Sequence, residues 1–216
     1  MAFSKHALPQ TQAIRLCAGL SGTSLWVNVR RYVAAGRSTR KFREPTQLMK
    51  ALEPPDTHHL LAAIGWLELR NHAEAGEEIA RLRPNSLDHP DVLEVRWEIC
   101  AAGSSWEAAR QVAEKLVEVA PERCSGWVYR AYALRRVKHG GLPLAWAALR
   151  PAFDKFPKEE VVAYNLACYA AQFGRLEEAW DWLAKARRVA RDANKIKERA
   201  LVDLDLQALW DRIRQL

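Results

Sequence analysis

A small residue recurs at a nearly constant interval through most of the chain. Ala75, Ala109, Ala145 and Ala179 are separated by 34, 36 and 34 residues. An apolar residue follows four positions after each of these alanines, and a leucine or alanine follows seven positions after it. Positions four and seven apart lie on one face of an α-helix. A repeat of this length therefore predicts similar helical units that stack on one another.

Each interval contains two apolar helical patterns separated by a short turn. We predict four helix pairs, which occupy residues 57–82, 92–116, 127–153 and 161–189. Pro121 and Pro157 stand where two of the second helices end, because proline lacks the N–H that continues a helix. No stretch shows the sustained alternation of a half-buried strand. The chain is therefore predicted to be all-α, with antiparallel helix pairs between residues 57 and 190 and a cap ending near Ile213.

Two details of register stay open at the level of sequence. In the second pair, Arg96 or Trp97 falls where the first helix should have a small residue. In the third pair, the turn around residues 139–142 holds two extra residues. The longer interval of 36 residues includes this turn.

The fourth unit carries the motif by which the chain resembles a known family. Residues 164–170 read Tyr-Asn-Leu-Ala-Cys-Tyr-Ala, Gly174 follows, and alanines stand seven apart at Ala179 and Ala186. In these residues the chain resembles the tetratricopeptide repeat (TPR) family, and the resemblance extends over residues 57–190. The string looks like the variant unit that often closes a group of repeats in bacterial proteins. The resemblance implies a right-handed superhelical stack of antiparallel helix hairpins, a TPR-like α-solenoid, with a C-terminal capping helix.

The last residues of the chain have the composition of such a cap. The end unit of a solenoid needs one apolar face and one polar face. The apolar stripe comprises Leu201, Leu204, Leu206, Leu209, Trp210 and Ile213. We therefore predict three parts: an extension at residues 1–48, four TPR-like helix pairs at residues 49–193, and a capping helix or two at residues 194–216.

The positive charge is concentrated in the N-terminal extension. Residues 1–50 carry nine basic side chains and one acidic residue, a net charge of +8, whereas the remaining residues carry 24 basic and 25 acidic side chains. The basic character therefore belongs to the first fifty residues and not to the repeats. Met49, the only methionine besides Met1, stands just before the repeat pattern. We expect residues 1–48 to be disordered or dispensable; a targeting segment, or a biological start at Met49, are the alternatives.

The residue pattern argues against catalysis and metal binding. The four cysteines lie far apart in sequence, a spacing that suits neither a zinc site nor a disulfide framework. Glutamate pairs stand at predicted helix starts, where they favour the helix dipole, and Gly140–Gly141 lacks the residues of a phosphate-binding loop. We expect no enzyme activity, no cofactor and no metal. No apolar stretch approaches the roughly 20 residues that cross a bilayer, so no membrane partner is expected.

The family resemblance implies that the first helix of each pair lines a concave groove. The non-core positions of these helices then become candidate partner contacts: Trp97, Val128, Tyr132, Arg135, Arg136, Tyr164, Asn165 and Gln172, with Cys168 beside them. Tyrosine, tryptophan and arginine are frequent anchors of interfaces. The alternative is that Tyr132 and Tyr164 pack between hairpins and that both arginines are merely solvated. Asn165 alone matches the clamp that some family members use for a peptide carboxylate, so that activity is unsupported.

These observations lead to two hypotheses of function. The first is a cytoplasmic, non-catalytic protein–protein interaction scaffold or adaptor that binds an acidic peptide or helical segment in its groove. The second is a nucleic acid-associated helical repeat protein that contacts phosphates through its basic N-terminal tail. Nucleic acid binding is expected only through that tail. Deletion of residues 1–48 would separate the two, because groove binding would survive it and salt-dependent nucleic acid binding would not.

Overall fold

The computed structural model describes residues 51–216, and all of their regular secondary structure is helical. Two 3₁₀ helices, Pro84–Ser86 and Leu204–Leu209, accompany the α-helices. The α-helices of the described residues are α1 (Asp56–Glu68), α2 (His72–Ala80), α3 (Pro90–Ala102), α4 (Trp106–Val119), α5 (Cys124–Leu134), α6 (Leu142–Lys155), α7 (Glu160–Gln172), α8 (Leu176–Val189), α9 (Ala193–Ala200) and α10 (Trp210–Arg214). The all-α prediction is therefore confirmed. The predictions for residues 1–48 lie outside the described residues.

The first eight helices form a stack of four hairpins. Helices α1 and α2 pack together, as do α3 and α4, α5 and α6, and α7 and α8. Each second helix also contacts the first helix of the following pair, and successive first helices contact one another. The four predicted helix pairs between residues 57 and 190 are confirmed.

The repeating alanines are buried between the helices of each pair. Ala75, Ala109, Ala145 and Ala179 have no solvent-exposed surface. Each lies near the start of a second helix, and the residue four positions later is buried as well. Because a methyl side chain is the only bulk at this point, the two helices of a hairpin can approach without a gap.

The register of the second pair is settled by the burial of two adjacent residues. Trp97 is only 2% exposed, whereas Arg96 is half-buried and donates from Nη1 to the carbonyl oxygen of Leu87 at 3.2 Å. The position expected to be small is therefore filled by the indole. A large side chain fits here because it extends toward the next pair, as described below.

The turn of the third pair is longer than the others, as predicted. Helix α5 ends at Leu134 and α6 begins at Leu142. The backbone N–H of Gly141, where φ is 119°, donates to the carbonyl oxygen of Leu134 at 2.8 Å. A Cβ atom at Gly140 would overlap the same oxygen. The extra residues are thus folded back tightly onto the end of α5.

A buried carboxylate closes the first pair. Asp56, at the start of α1, accepts hydrogen bonds from Arg83 Nε at 2.9 Å, from the Arg83 backbone N–H at 3.3 Å and from the Ser86 hydroxyl. These bonds, that of Ser86 above all, lower the pKa of Asp56. The start of α1 is thereby tied to the segment that follows α2.

The C-terminal residues cover the end of the stack in three short pieces. Helix α9 packs on α8, the 3₁₀ helix packs on α7, and α10 returns to α9. Leu206 and Ile213 are fully buried. Leu204, which the sequence placed in the apolar stripe, is 54% exposed, and Asp203 is buried instead. The stripe prediction is wrong at this point because the chain leaves α9 in a turn, so one helical face does not continue through it.

Candidate binding site on the first helices

Five of the eight predicted groove residues lie in the core. Their relative exposure is 5% or less: Trp97, Val128, Tyr132, Tyr164 and Asn165. Each first helix within the stack has a neighbour on either side, so the face between hairpins is covered by the chain itself. This burial corrects the expectation that all eight side chains line an open groove. Among the eight, Arg135 and Arg136 are half-buried, and Gln172 is exposed.

The two tyrosines follow the alternative interpretation, because both pack within the protein. Tyr132 lies edge-on to Trp97, with ring centroids 5.9 Å apart. Tyr164 is fully buried in α7, and the guanidinium of Arg199 lies 3.8 Å from its ring centroid. Asn165 is buried and donates from Nδ2 to the carbonyl oxygen of Val161 at 2.8 Å, a contact within α7.

Two of the remaining candidates, Arg135 and Gln172, contact the chain's own C-terminal segment. Arg135 makes a two-pronged ion pair with Asp205, with Nη2 2.8 Å from Oδ1 and Nη1 bonded to Oδ2. Gln172 donates from Nε2 to the backbone carbonyl of Asp205 at 3.1 Å. Arg135 and Gln172 were both candidates for partner contacts, and in the structure both bind Asp205.

Asp203 occupies a buried position two residues earlier. The hydroxyl of Tyr164 donates to its Oδ2 at 3.0 Å, and the thiol of Cys168 lies 3.7 Å from the same oxygen. Burial raises the pKa of Asp203, and burial likewise raises the pKa of Tyr164 and of Cys168. Burial thus shifts each of the three groups toward its protonated form, and the Tyr164 hydroxyl and the Cys168 thiol both donate to Asp203.

Cys168, Asp203 and Asp205 are spaced as the ligands of a metal would be, but their protonation and ion pairing do not suit metal binding. Ligand atoms of Cys168, Asp203 and Asp205 lie within 4.8 Å of one another. A metal would require a thiolate and two free carboxylates. Asp205 is already paired with Arg135, and the environment of Cys168 opposes its deprotonation. The cluster is a hydrogen-bonded junction between the first helices and the C-terminal segment.

Arg136 differs from its neighbour because it has no carboxylate partner in residues 51–216. Its guanidinium lies 3.5 Å from the ring centroid of Tyr132 and 5.1 Å from that of Trp106. Its Nη1 donates to the carbonyl oxygen of Tyr132 at 3.1 Å. Burial lowers the pKa of Arg136, and the adjacent positive charge of Arg135 adds to this effect. An arginine nevertheless keeps its charge in proteins, so a half-buried cation stands here on an aromatic platform.

Sequence reasoning missed the acidic half of this site. Asp203 and Asp205 were assigned only to a cap, and their contacts with the first helices join positions 33 to 70 residues apart in sequence. One signal was available: the string Val-Asp-Leu-Asp-Leu at residues 202–206 interrupts the apolar stripe with two carboxylates. No helix of the described residues is long and apolar enough to cross a membrane.

Comparison with known proteins shows which proteins share this fold. No protein-family model matches the chain, and no curated protein matches it. The crystal structure of a thermophilic TPR protein in Thermus thermophilus superposes with a TM-score of 0.54 at 16% sequence identity. The match covers 74% of this chain and 100% of that one. The chain therefore has the fold of the tetratricopeptide repeat proteins, an α-solenoid of stacked helix hairpins.

Proposed function

We propose that this protein is a non-catalytic protein-interaction scaffold that binds an acidic, extended or helical segment of a partner on its first helices. The helical-repeat fold supports a scaffold in general terms, because stacked hairpins offer long surfaces for other chains. The finer claim, an acidic ligand, rests on one observation. That observation is the guanidinium of Arg136, half-buried on aromatic rings without a carboxylate partner in the described residues.

A cation in this position is suited to bind a carboxylate. Arginine pairs with carboxylates in a two-pronged geometry that is stronger than a neutral hydrogen bond. The rings of Tyr132 and Trp106 hold the planar group in place, so less side-chain freedom is lost on binding. The adjacent Arg135 already holds a carboxylate in this way, so this end of α5 has the chemistry of acid recognition.

Four groups with shifted pKa values, Asp203, Tyr164, Cys168 and Asp56, serve the fold, which supports a scaffold. Tyr164 and Cys168 each donate to Asp203, and all three residues are buried. Asp56 is buried and bonded to Arg83 and Ser86. The hydrogen bonds of each of these groups join it to another segment of the chain.

Charge reversal of Arg136 tests the proposal. The full chain is applied to an array of synthetic peptides, with acidic–apolar segments, their basic counterparts and neutral counterparts on the same surface. We expect acidic peptides to bind and Arg136→Glu to reduce their affinity at least tenfold. The matched control is Arg188→Glu, which makes the same charge change at an exposed arginine of α8. The affinity of this variant for the acidic peptides should stay within twofold of that of the unaltered chain. Thermal melts confirm that both variants fold.

Three results would contradict the proposal. Equal losses in Arg136→Glu and Arg188→Glu would show an effect of overall charge. Unchanged binding in Arg136→Glu would place the contact elsewhere. Salt-dependent binding of nucleic acid that disappears with residues 1–48, without peptide binding, would favour the second hypothesis. A combined change of Arg135, Arg136 and Tyr132 is a poorer test, because Arg135 holds Asp205 and Tyr132 is buried.

A further inference from the structure

We propose that the C-terminal segment, residues 203–209, is an intramolecular ligand of the first helices, and that the partner carries the same pattern: two carboxylates two residues apart, followed directly by a leucine. This inference deepens the proposed function and rests on it for the existence of a partner. It is carried by the contacts of the segment with α5 and α7.

Each element of the pattern is recognised by a separate group. The first carboxylate, Asp203, accepts from the Tyr164 hydroxyl at 3.0 Å. The second carboxylate, Asp205, pairs with the Arg135 guanidinium. Leu206 follows and is fully buried. The intervening Leu204 is 54% exposed, so the pattern that the first helices read is acid, any residue, acid, leucine.

The backbone of the segment is also bound as a ligand would be. Gln172, the last residue of α7, donates to the carbonyl oxygen of Asp205 at 3.1 Å. This contact does not depend on which side chain the segment carries, and it fixes the backbone of the segment at the second carboxylate. Together with Arg135 it places residue 205 at the ends of two successive first helices.

The segment is a costly way to cap a solenoid. A carboxylate buried in a protein interior loses hydration that its hydrogen bonds only partly replace. Burial raises the pKa of Asp203, which reports this cost. A purely apolar cap would not carry this cost. Recognition of an acidic segment would account for the buried carboxylate.

Release of the segment from the first helices requires the loss of its contacts with α7 and α8, while α9 keeps its own contacts with α8. Helix α9 packs on α8 through its own contacts, and a turn at residues 201–202 connects it to the segment. Val202 in this turn is 62% exposed. A tethered ligand competes at an effective concentration on the order of millimolar. A partner could add one contact that the segment does not make, because Arg136, beside the Arg135–Asp205 pair, forms no hydrogen bond or ion pair with a carboxylate of the described residues.

The test measures binding in trans of a peptide with the chain's own sequence, Leu-Val-Asp-Leu-Asp-Leu-Gln-Ala-Leu-Trp, from residues 201–210. In the full chain, Asp205→Ala removes the ion pair of the segment and frees Arg135. We expect this variant to bind the fluorescent peptide at least tenfold more tightly than the unaltered chain. Adding Arg135→Ala to it should abolish the gain. Asp211→Ala is the control, because Asp211 is 96% exposed and pairs only within α10 with Arg214.

A second measurement needs no variant. Excess peptide added to the unaltered chain should speed amide hydrogen exchange at residues 204–209 while leaving α8 unchanged. The internal-ligand proposal is overturned if Asp205→Ala folds and binds the peptide no better, or if the peptide leaves exchange at residues 204–209 unaltered. If acidic array peptides still bind through Arg136 in that case, the proposed function stands and only the internal ligand falls. If no acidic peptide binds any form of the chain, both fall.

Discussion

The indole of Trp97 and the phenol ring of Tyr129 lie face to face, with ring centroids 3.9 Å apart and planes inclined by 3°. Trp97 belongs to α3 and Tyr129 to α5, the first helices of the second and third pairs. Neither ring is exposed beyond 2%. The stack therefore joins two successive repeats, and it should contribute strongly to the stability of the whole array.

Truncation of this stack should destabilise the protein. We expect Trp97→Ala to lower the free energy of unfolding by about 3–5 kcal/mol, because it leaves a cavity between two hairpins. Trp97→Phe keeps an aromatic ring against Tyr129 and should cost less. Urea denaturation followed by circular dichroism measures both changes. A loss in Trp97→Ala no larger than in Leu69→Ala, where the side chain is 72% exposed, would contradict the importance of this contact.

Enlarging a repeat alanine should also be costly. Ala179 is fully buried against α7, so Ala179→Leu should destabilise by roughly 1–3 kcal/mol through overpacking. Ala184 lies on the same helix and is exposed, which makes Ala184→Leu a matched control with little expected effect. Thermal melts of the two variants decide the point. Similar melting temperatures for both would mean that the helix contact at Ala179 is not close.

Substitution by alanine should change the stability in opposite directions at Gly140, in a tight turn, and at Gly76, inside a helix. Gly140→Ala places a Cβ against the carbonyl oxygen of Leu134 and should force the turn of the third pair to open. Gly76 lies inside α2 with no atom near its Cβ position, so Gly76→Ala should stabilise by about 0.5–1 kcal/mol. Chemical denaturation of both variants provides the comparison. A stabilised Gly140→Ala protein would rule out the tight turn.

Asp56 should contribute to stability at neutral pH and lose that contribution in acid. Its pKa in the folded protein is lowered, mainly by the hydrogen bond from Ser86 and further by Arg83. A lowered pKa means that the folded state favours the charged form, so the contribution is present above the ordinary value near 3.8 and is lost as the pH falls below it. We expect Asp56→Asn to lower the melting temperature at pH 7 and to lower it less in acid. A difference in melting temperature that does not change with pH would argue against a stabilising role of the charged Asp56 carboxylate.

Asp203 should behave in the opposite way. Burial raises its pKa in the folded protein above the ordinary value of 3.8. The folded state therefore favours the protonated acid, and this contribution is present below that value and is lost as the pH rises through the raised pKa. Asp203→Asn stays neutral at every pH and keeps an oxygen acceptor. We expect it to raise the melting temperature at pH 7 relative to the unaltered chain, with the difference vanishing in acid; a lower melting temperature at pH 7 would show that the charge is favourable.

The amino-acid sequence by itself determined the number, type and phase of the repeats. The interval between Ala75, Ala109, Ala145 and Ala179 is a local property, because it depends only on which positions of a helix share a face. A small residue at that position must meet another helix, and the structure buries all four. The longer turn before α6 follows from the same counting.

Only the tertiary structure decided what covers the other faces of the first helices. A helical period shows that Trp97, Tyr132 and Tyr164 share positions on first helices, but it does not show whether a neighbouring hairpin or solvent lies beyond them. The return of the C-terminal segment is set by contacts such as Arg135 with Asp205, which are 70 residues apart. Pairing over such a distance depends on the stacking of all the intervening hairpins, so no local pattern determines it. For the same physical reason the acidic half of the candidate site became visible only once the stack was assembled.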